Sequence, residues 1–136
     1  MTKSIFKKKL SVIIPCYNEN TTITKIVEKV FNNKLNLEII IVDDFSNDGS
    51  KEKIKKLHNK YIKKKIFHSK NLGKGACIKT GLRHVSGDYV IIQDADLEYN
   101  PNDYKKMLRK FSDIKVDSVY GSRVLKKKRY SFKKSF

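Results

Sequence analysis

The chain has 136 residues, close to the length of one ordinary domain, with 39% hydrophobic residues and seven each of Tyr and Phe. That content supports a core of its own and excludes a fibre, a disordered basic tail and a disulfide-stapled mini-protein. A formal charge of +17, from 31 basic and 14 acidic residues, leaves nucleic acid, an anionic membrane or a solvated surface to account for the excess.

Leu10 to Pro15 (LSVIIP) is a short β-branched apolar run, the pattern of a strand buried on both faces. Thr21 or Thr22 is placed to cap the next segment, where Ile23, Ile26, Val27, Val30 and Phe31 mark one face of a helix. Leu37 to Val42 is a second strand, and Asp48-Gly49-Ser50 opens a Lys-rich helix whose apolar residues are Ile54 and Leu57. Lys65 to His68 predicts a third strand. Gly73 to His84 predicts a helix with a small-residue face from Ala76, Cys77 and Thr80, suited to close packing. Tyr89 to Gln93 is a fourth strand, and Asn100-Pro101 gives an N-cap with Pro at the first helical position. Tyr104, Met107, Leu108 and Phe111 make the apolar face of that helix, and Val116 to Tyr120 predicts a fifth strand. Strands alternating with helices across short connections predict an α/β fold with a mostly parallel sheet and helices on both faces.

Of the basic residues 27 are Lys and four are Arg, in scattered runs at 7–9, 63–65 and 126–128. Nucleic-acid surfaces favour Arg and interleaved aromatics, so the charge reads as a solvated surface and no nucleic-acid partner is expected. Cys16 and Cys77 lie far apart without a CxxC or a His at metal spacing, which argues for packing and a reducing compartment. His58, His68 and His84 share no spacing and receive no role. No apolar run approaches 18 residues, and residues 1–9 are basic without an apolar stretch behind them, so a cytoplasmic location is expected.

Ligands of open α/β sheets bind beyond the carboxyl ends of the strands. There the sequence sets Tyr17-Asn18-Glu19, Asp43-Asp44, Asn71 to Gly75, Asp94-Ala95-Asp96 and Gly121-Ser122-Arg123. Acids directly following apolar runs are an anomaly in a chain at +17. Asp94 and Asp96, two apart, project to one side of an extended backbone and would repel unless a cation lay between them, and their oxygens suit Mg²⁺ or Mn²⁺. The alternative is a turn in which an Asp side chain caps the following backbone. Asp43 and Asp44 can accept from ribose or a base edge, or form an Asx turn before Asp48. Lys74, in Asn71-Leu72-Gly73-Lys74-Gly75, can reach a phosphate at a helix N-terminus, although the spacing fits neither a Walker loop nor G-x-G-x-x-G.

SVIIPCYNEN, EIIIVDDFSNDGS, NLGKGACIKTGL, GDYVIIQDADLEYNPNDY and VYGSR, from Leu10 to Arg123, resemble the family 2 glycosyltransferases. Within these they are most similar to the dolichyl-phosphate mannose synthase and polyprenyl-phosphate glycosyltransferase branch. The resemblance implies a GT-A fold, a Rossmann-like three-layer sandwich, over residues 10–124, with a basic segment at 1–9 and a basic tail at 125–136. It implies a glycosyltransferase that moves a hexose from GDP-mannose or UDP-glucose to a polyprenyl or dolichyl phosphate, with inversion and with Mg²⁺ or Mn²⁺. Pro15, Tyr17, Asn18 and Glu19 would line the nucleotide pocket, and Val42, Asp43 and Asp44 would hold base and ribose. Asp94 and Asp96 would bind metal and donor diphosphate with Ala95 beside them, and Glu98 would be a further metal ligand. Asp96 and Arg123 would be the catalytic pair, Arg123 gripping phosphate. Phe45 stands where a Gly is common, a change expected to be tolerated on a loop.

Catalytic domains of this family continue well beyond the GSR motif. The resemblance therefore predicts a donor-binding half whose acceptor half comes from elsewhere, for instance a second chain. It leaves two alternatives, a donor-binding chain that transfers nothing and a transferase with a hydroxyl acceptor in polysaccharide synthesis. A polyprenyl acceptor would put the protein at the inner face of a membrane, where the tail's Tyr130, Phe132 and Phe136 among lysines suit peripheral contact.

Overall fold

Alternation along the strands decides what each face of the sheet carries. In the computed structural model, which describes residues 2–119, β1 (Leu10–Cys16) turns Leu10, Val12, Ile14 and Cys16 to one side and Ser11 and Ile13 to the other, all buried. β2 (Leu37–Asp43) is buried at every position, as a central strand between two helical layers must be. With β3 (Ile62–Phe67) and β4 (Tyr89–Ile92) they form one sheet in the order β3-β2-β1-β4, every pair parallel.

Helices lie on both faces. α2 (Ile23–Phe31), α3 (Ser50–Lys56) and α5 (Tyr104–Lys110) bury Ile23, Ile26, Val27, Val30, Ile54, Tyr104 and Leu108 against Val12, Ile14, Ile39 and Ile41. α4 (Lys74–Leu82) covers the other face, where Cys77 meets Ile40 and Val42. Its approach is as close as the small residues predicted: a Cβ on Gly81 would lie 2.7 Å from Ile13 Cγ2. The chain adds β2 and β3 on one side of β1, then crosses under α4 to add β4 on the other. The order reverses between β1 and β4, which opens a crevice at their carboxyl ends.

Several expectations are corrected. Val116 to Val119 form no strand, since Asp113 turns the chain by accepting from the Lys115 and Val116 N–H groups, and no described strand offers them a ladder. Tyr120 lies outside the described residues. Residues 117–119 instead border an apolar groove of about 410 Å³ beside β4 and α5. Thr22 occupies the N-cap position of α2, but its hydroxyl donates to Glu19 Oε2 at 3.0 Å in place of capping the helix. β3 begins three residues earlier than predicted, with a register irregularity opposite Ile39/Ile40, and exposes Lys63 and Lys64 on its edge. The basic N-terminal segment contains a short helix, α1 (Thr2–Ile5), that buries Ile5. Asn100 behaves as predicted, accepting from the Asn102 N–H at 3.0 Å ahead of the Pro101–Asp103 turn that enters α5.

Candidate active site

A cleft of about 350 Å³ opens at the carboxyl ends of β1, β2 and β4. From the β1 end it is lined by Pro15, Cys16, Tyr17 and Glu19; from β2 by Asp44; from the loop into α4 by Asn71, Gly73, Lys74 and Cys77; and from the β4 end by Asp94, Ala95 and Asp96. The groove beside β4 is larger but mainly apolar, and the convergent charged groups are in the smaller cleft.

Two devices shape its walls. After β2, Asp44 N–H donates to Cys16 O at 2.8 Å, joining the two strand ends. The Asp44 carboxylate accepts at Oδ1 from Leu72 N–H and His68 Nδ1, both at 2.9 Å, and at Oδ2 from Gly73 N–H at 2.8 Å. Burial works against its charge, and the hydrogen bonds from His68, Leu72 and Gly73 outweigh that, holding the carboxyl below the usual carboxylate range. Because Asp44 accepts, His68 carries a proton on Nδ1; its Nε2 sits 2.9 Å from the Thr80 hydroxyl on α4. His68, given no role from sequence, thus fixes the loop that bears Lys74. Its position beside Phe67 at the end of β3 was the available signal.

The second device is Gln93. It is buried at the end of β4, donates from Nε2 to Asp94 O and Tyr99 O at 3.1 Å each, and accepts the Tyr104 hydroxyl at 2.5 Å. It pins the 94–99 turn to α5. A polar side chain closing an apolar run was its trace in the sequence. That turn also corrects how the acidic pair is presented: Asp94 and Asp96 reach the same cleft through a tight turn with Leu97 at φ 66°, not along extended backbone. Asp96 Oδ1 caps the turn by accepting the Glu98 N–H at 3.0 Å. The carboxylate of Asp94 pairs with the Lys74 ammonium across the cleft.

The other candidates divide. Tyr17 is half exposed at the mouth, and Glu19 faces the cleft while holding Thr22. Asn18 does not line the cleft; it adopts φ 52° and its Oδ1 accepts from Asn47 N–H at 2.9 Å. Val42 is buried under α4. Asp43 is fully buried; Oδ2 accepts from Ser46 N–H at 3.1 Å and Oδ1 has no partner. Glu98 is exposed outside the cleft lining, and Arg123 lies outside the described residues. Phe45 takes φ 65°, the conformation for which a Gly would be favoured. Burial, then the neighbouring Asp43, pushes the Cys16 thiol up to about 12; burial, then Asp44, does the same to Cys77. Neither is a nucleophile at neutral pH.

Two donor sets bear on metal binding. Asp44, His68 and Cys77 bring ligand atoms within 4.8 Å of one another, among the described residues. Nitrogen and sulfur there suit a borderline ion such as Zn²⁺, and the protons on His68 and Cys77 already satisfy the group as a hydrogen-bonded network. Asp94 and Asp96 offer hard oxygens in the open cleft, and an ammonium already stands beside one of them as a substitute cation, so this pair fits Mg²⁺ or Mn²⁺.

A parallel α/β sheet with an acidic cleft at its switch point is the architecture of the GT-A glycosyltransferases. Residues 11–135 match the Glycosyl transferase family 2 profile, and the chain belongs to that family. It is 37% identical to the dolichol-phosphate mannosyltransferase of Pyrococcus furiosus over 117 residues, 82% of this chain and 33% of that one. It is 41% identical to the cholesterol galactosyltransferase of Borreliella burgdorferi over 97 residues, 71% of this chain and 27% of that one. Among solved structures, the mannosyltransferase PcManGT from Pyrobaculum calidifontis, in complex with GDP-Man and Mn²⁺, superposes with a TM-score of 0.71 at 25% identity, covering 79% of this chain and 33% of that one. The chain thus spans about a third of the length of these two curated relatives.

Proposed function

We propose that this chain supplies the donor side of a transferase that moves a hexose from a nucleotide sugar to a polyprenyl phosphate with inversion, assisted by Mg²⁺ or Mn²⁺. The observation that carries the reading is the convergence of Asp94, Asp96 and Lys74 with Tyr17, Glu19 and Asp44 in one cleft at the carboxyl edge of the sheet. Tyr17 and Pro15 form the wall for the nucleoside, and Asp44, which lines the same cleft, receives the ribose or base. Asp94 and Asp96 hold the metal with Ala95 beside the donor, Glu98 is a further ligand candidate on the same turn, and Arg123 grips phosphate. When bound, the ion stabilises charge developing on the departing diphosphate. In the transfer, an acceptor phosphate oxygen bonds to the anomeric carbon as the bond to the nucleoside diphosphate breaks, and the electron pair leaves with the diphosphate. An acceptor that is already an anion needs no general base.

A dolichol-phosphate enzyme among the relatives supports the lipid-phosphate acceptor, and a cholesterol enzyme supports a hydroxyl acceptor as the second reading. A lipid-phosphate acceptor would lie in a membrane, and we propose peripheral contact with it at the cytoplasmic face; among the described residues no helix is long and apolar enough to cross a membrane. The further elements of the acceptor side come from polypeptide beyond the described residues or from a second chain. Calorimetry with GDP-mannose and UDP-glucose, each with and without Mn²⁺, tests the donor reading; no uptake of either donor sinks it. Radiolabelled transfer to polyprenyl phosphate, with cholesterol as the comparison acceptor, decides between the acceptors. Donor binding without product in either assay identifies a binding chain that does not transfer.

A further inference from the structure

We infer that Lys74 is a tethered cation that holds the Asp94–Asp96 carboxylates until a nucleoside diphosphate draws it away, so that metal and donor enter together. The inference rests on reading those two carboxylates as the metal ligands. It goes beyond that reading by coupling the filling of the metal site to that of the donor site and naming the residue that enforces the coupling.

Four carboxylates line the cleft (Glu19, Asp44, Asp94 and Asp96), and the Lys74 ammonium is the one lysine or arginine charge among the described lining residues. It pairs with Asp94, from a different element and 20 positions away. The backbone that delivers it is fixed: Asp44 accepts from Leu72 and Gly73 N–H, and Asn71 Nδ2 donates to Asp44 O at 3.3 Å. Only the side chain is therefore free to travel, and at 57% exposure its ammonium moves through solvent without opening a cavity. Asp94 is 24% exposed, so the pair is accessible to an incoming ion.

One ammonium neutralises one carboxylate. Asp96 keeps its charge, tied to its own turn by the Glu98 N–H. A divalent ion arriving alone must separate Lys74 from Asp94, and the freed ammonium gains nothing in return. A diphosphate in the cleft changes that balance, because it offers Lys74 a new anionic partner while the ion takes over Asp94 and Asp96. Metal and nucleotide then strengthen each other's binding by the same factor, as linkage requires.

The test is a Mn²⁺ titration of the whole chain followed by electron paramagnetic resonance, without nucleotide and with GDP or UDP, alongside thermal melts. In Lys74→Met, Mn²⁺ alone should bind about five-fold more tightly, the size of a partly exposed ion pair. The gain in Mn²⁺ affinity on adding GDP or UDP should shrink by at least the same factor, and Lys74→Arg should restore the wild-type pattern. Unchanged or weaker binding of Mn²⁺ alone by Lys74→Met overturns the inference, as does a nucleotide effect that survives the substitution. Asp96→Asn separates the two levels of argument. If it abolishes Mn²⁺ uptake while Lys74→Met fails to tighten it, only the exchange is wrong. If Asp96→Asn leaves Mn²⁺ uptake intact, or the wild type takes up none with either nucleotide, the metal reading falls and the exchange falls with it.

Discussion

The amino edge of the sheet saturates its buried carboxylate, whereas the carboxyl edge saturates Asp44 but leaves Asp94 and Asp96 open to the cleft. At the amino edge, Glu38 is buried and accepts from Ser11 Oγ at 2.7 Å, Ser86 N–H at 2.7 Å and Ser86 Oγ at 2.8 Å, with Lys9 Nζ at 2.9 Å and Lys63 Nζ at 3.5 Å. Burial opposes its charge, but Lys9, Ser11 and Ser86 together pull its pKa down to about 2. The packing is tight enough that a Cβ on Gly87 would lie 2.6 Å from Ser11 Oγ. At the carboxyl edge, Asp96 is exposed, Asp94 faces a single solvent-exposed lysine, and Asp43 keeps one oxygen without a partner. A carboxylate that the protein saturates is a structural joint, and one left partly unsatisfied is a place for a ligand. The cluster at 9, 11, 38, 86 and 87 ties β1, β2 and the entry to β4 together, which leaves the opposite edge free to carry charge the fold does not neutralise.

That contrast breaks most visibly at Asp96. Asp96→Asn should weaken Mn²⁺-dependent nucleotide binding by at least about 100-fold, since even outer partners of a metal site cost 10–100-fold. Its melting temperature should stay level or rise, and calorimetry beside a thermal melt reads both. Glu38→Ala should do the reverse, lowering stability by about 2 kcal/mol with nucleotide affinity unchanged. The figure sits below that for a fully buried pair because both lysine partners are partly exposed. A urea melt checks it.

Acid sharpens the same comparison. Glu38 has a folded pKa below the ordinary value of about 4.3, so its stabilisation is complete above about pH 5 and is lost as the pH falls toward 2. Wild type should therefore lose stability across that window, and Glu38→Ala should lose distinctly less, in melts at stepped pH.

His68→Phe tests the link between the two kinds of region, because it removes one of the three donors to Asp44. It should cost about 1 kcal/mol of stability and roughly ten-fold in nucleotide affinity. An affinity that does not change would reduce His68 to packing. Phe45→Gly should have the smallest effect, between zero and about 1 kcal/mol of added stability, since relief of the left-handed backbone is partly offset by the entropy of a glycine in the unfolded chain.

Much of this was legible along the chain. The run LSVIIP announced a strand buried on both faces, LEIIIV and YVIIQ announced two more, and residues 10–16, 37–43 and 89–92 follow them closely, although Val90 and Ile92 of the last are exposed. The small residues at 76, 77 and 80 announced a close approach of α4 to the sheet, which the structure makes closest at Gly81. The acids after those strands announced the cleft, because an α/β crossover delivers every strand's carboxyl end to one edge. Less legible were Thr22, which bonds Glu19 instead of capping its helix, and residues 116–119, whose β-branched composition forms no strand without a neighbour to pair with.

The sequence by itself determined the layer order, the parallel sheet and the edge at which the chemistry lies, because these follow from periodicity and connection length, which are local. Tertiary structure alone decided which carboxylates are saturated and which are open. Glu38, Asp44 and Asp94 are all acids in a lysine-rich chain, and their fates differ through partners that lie tens of residues away. For Glu38 these are Lys9, Ser11 and Ser86; for the cleft they are His68 against Asp44 and Lys74 against Asp94. Satisfaction of a charge is a property of three-dimensional neighbours, and no spacing along the chain encodes it.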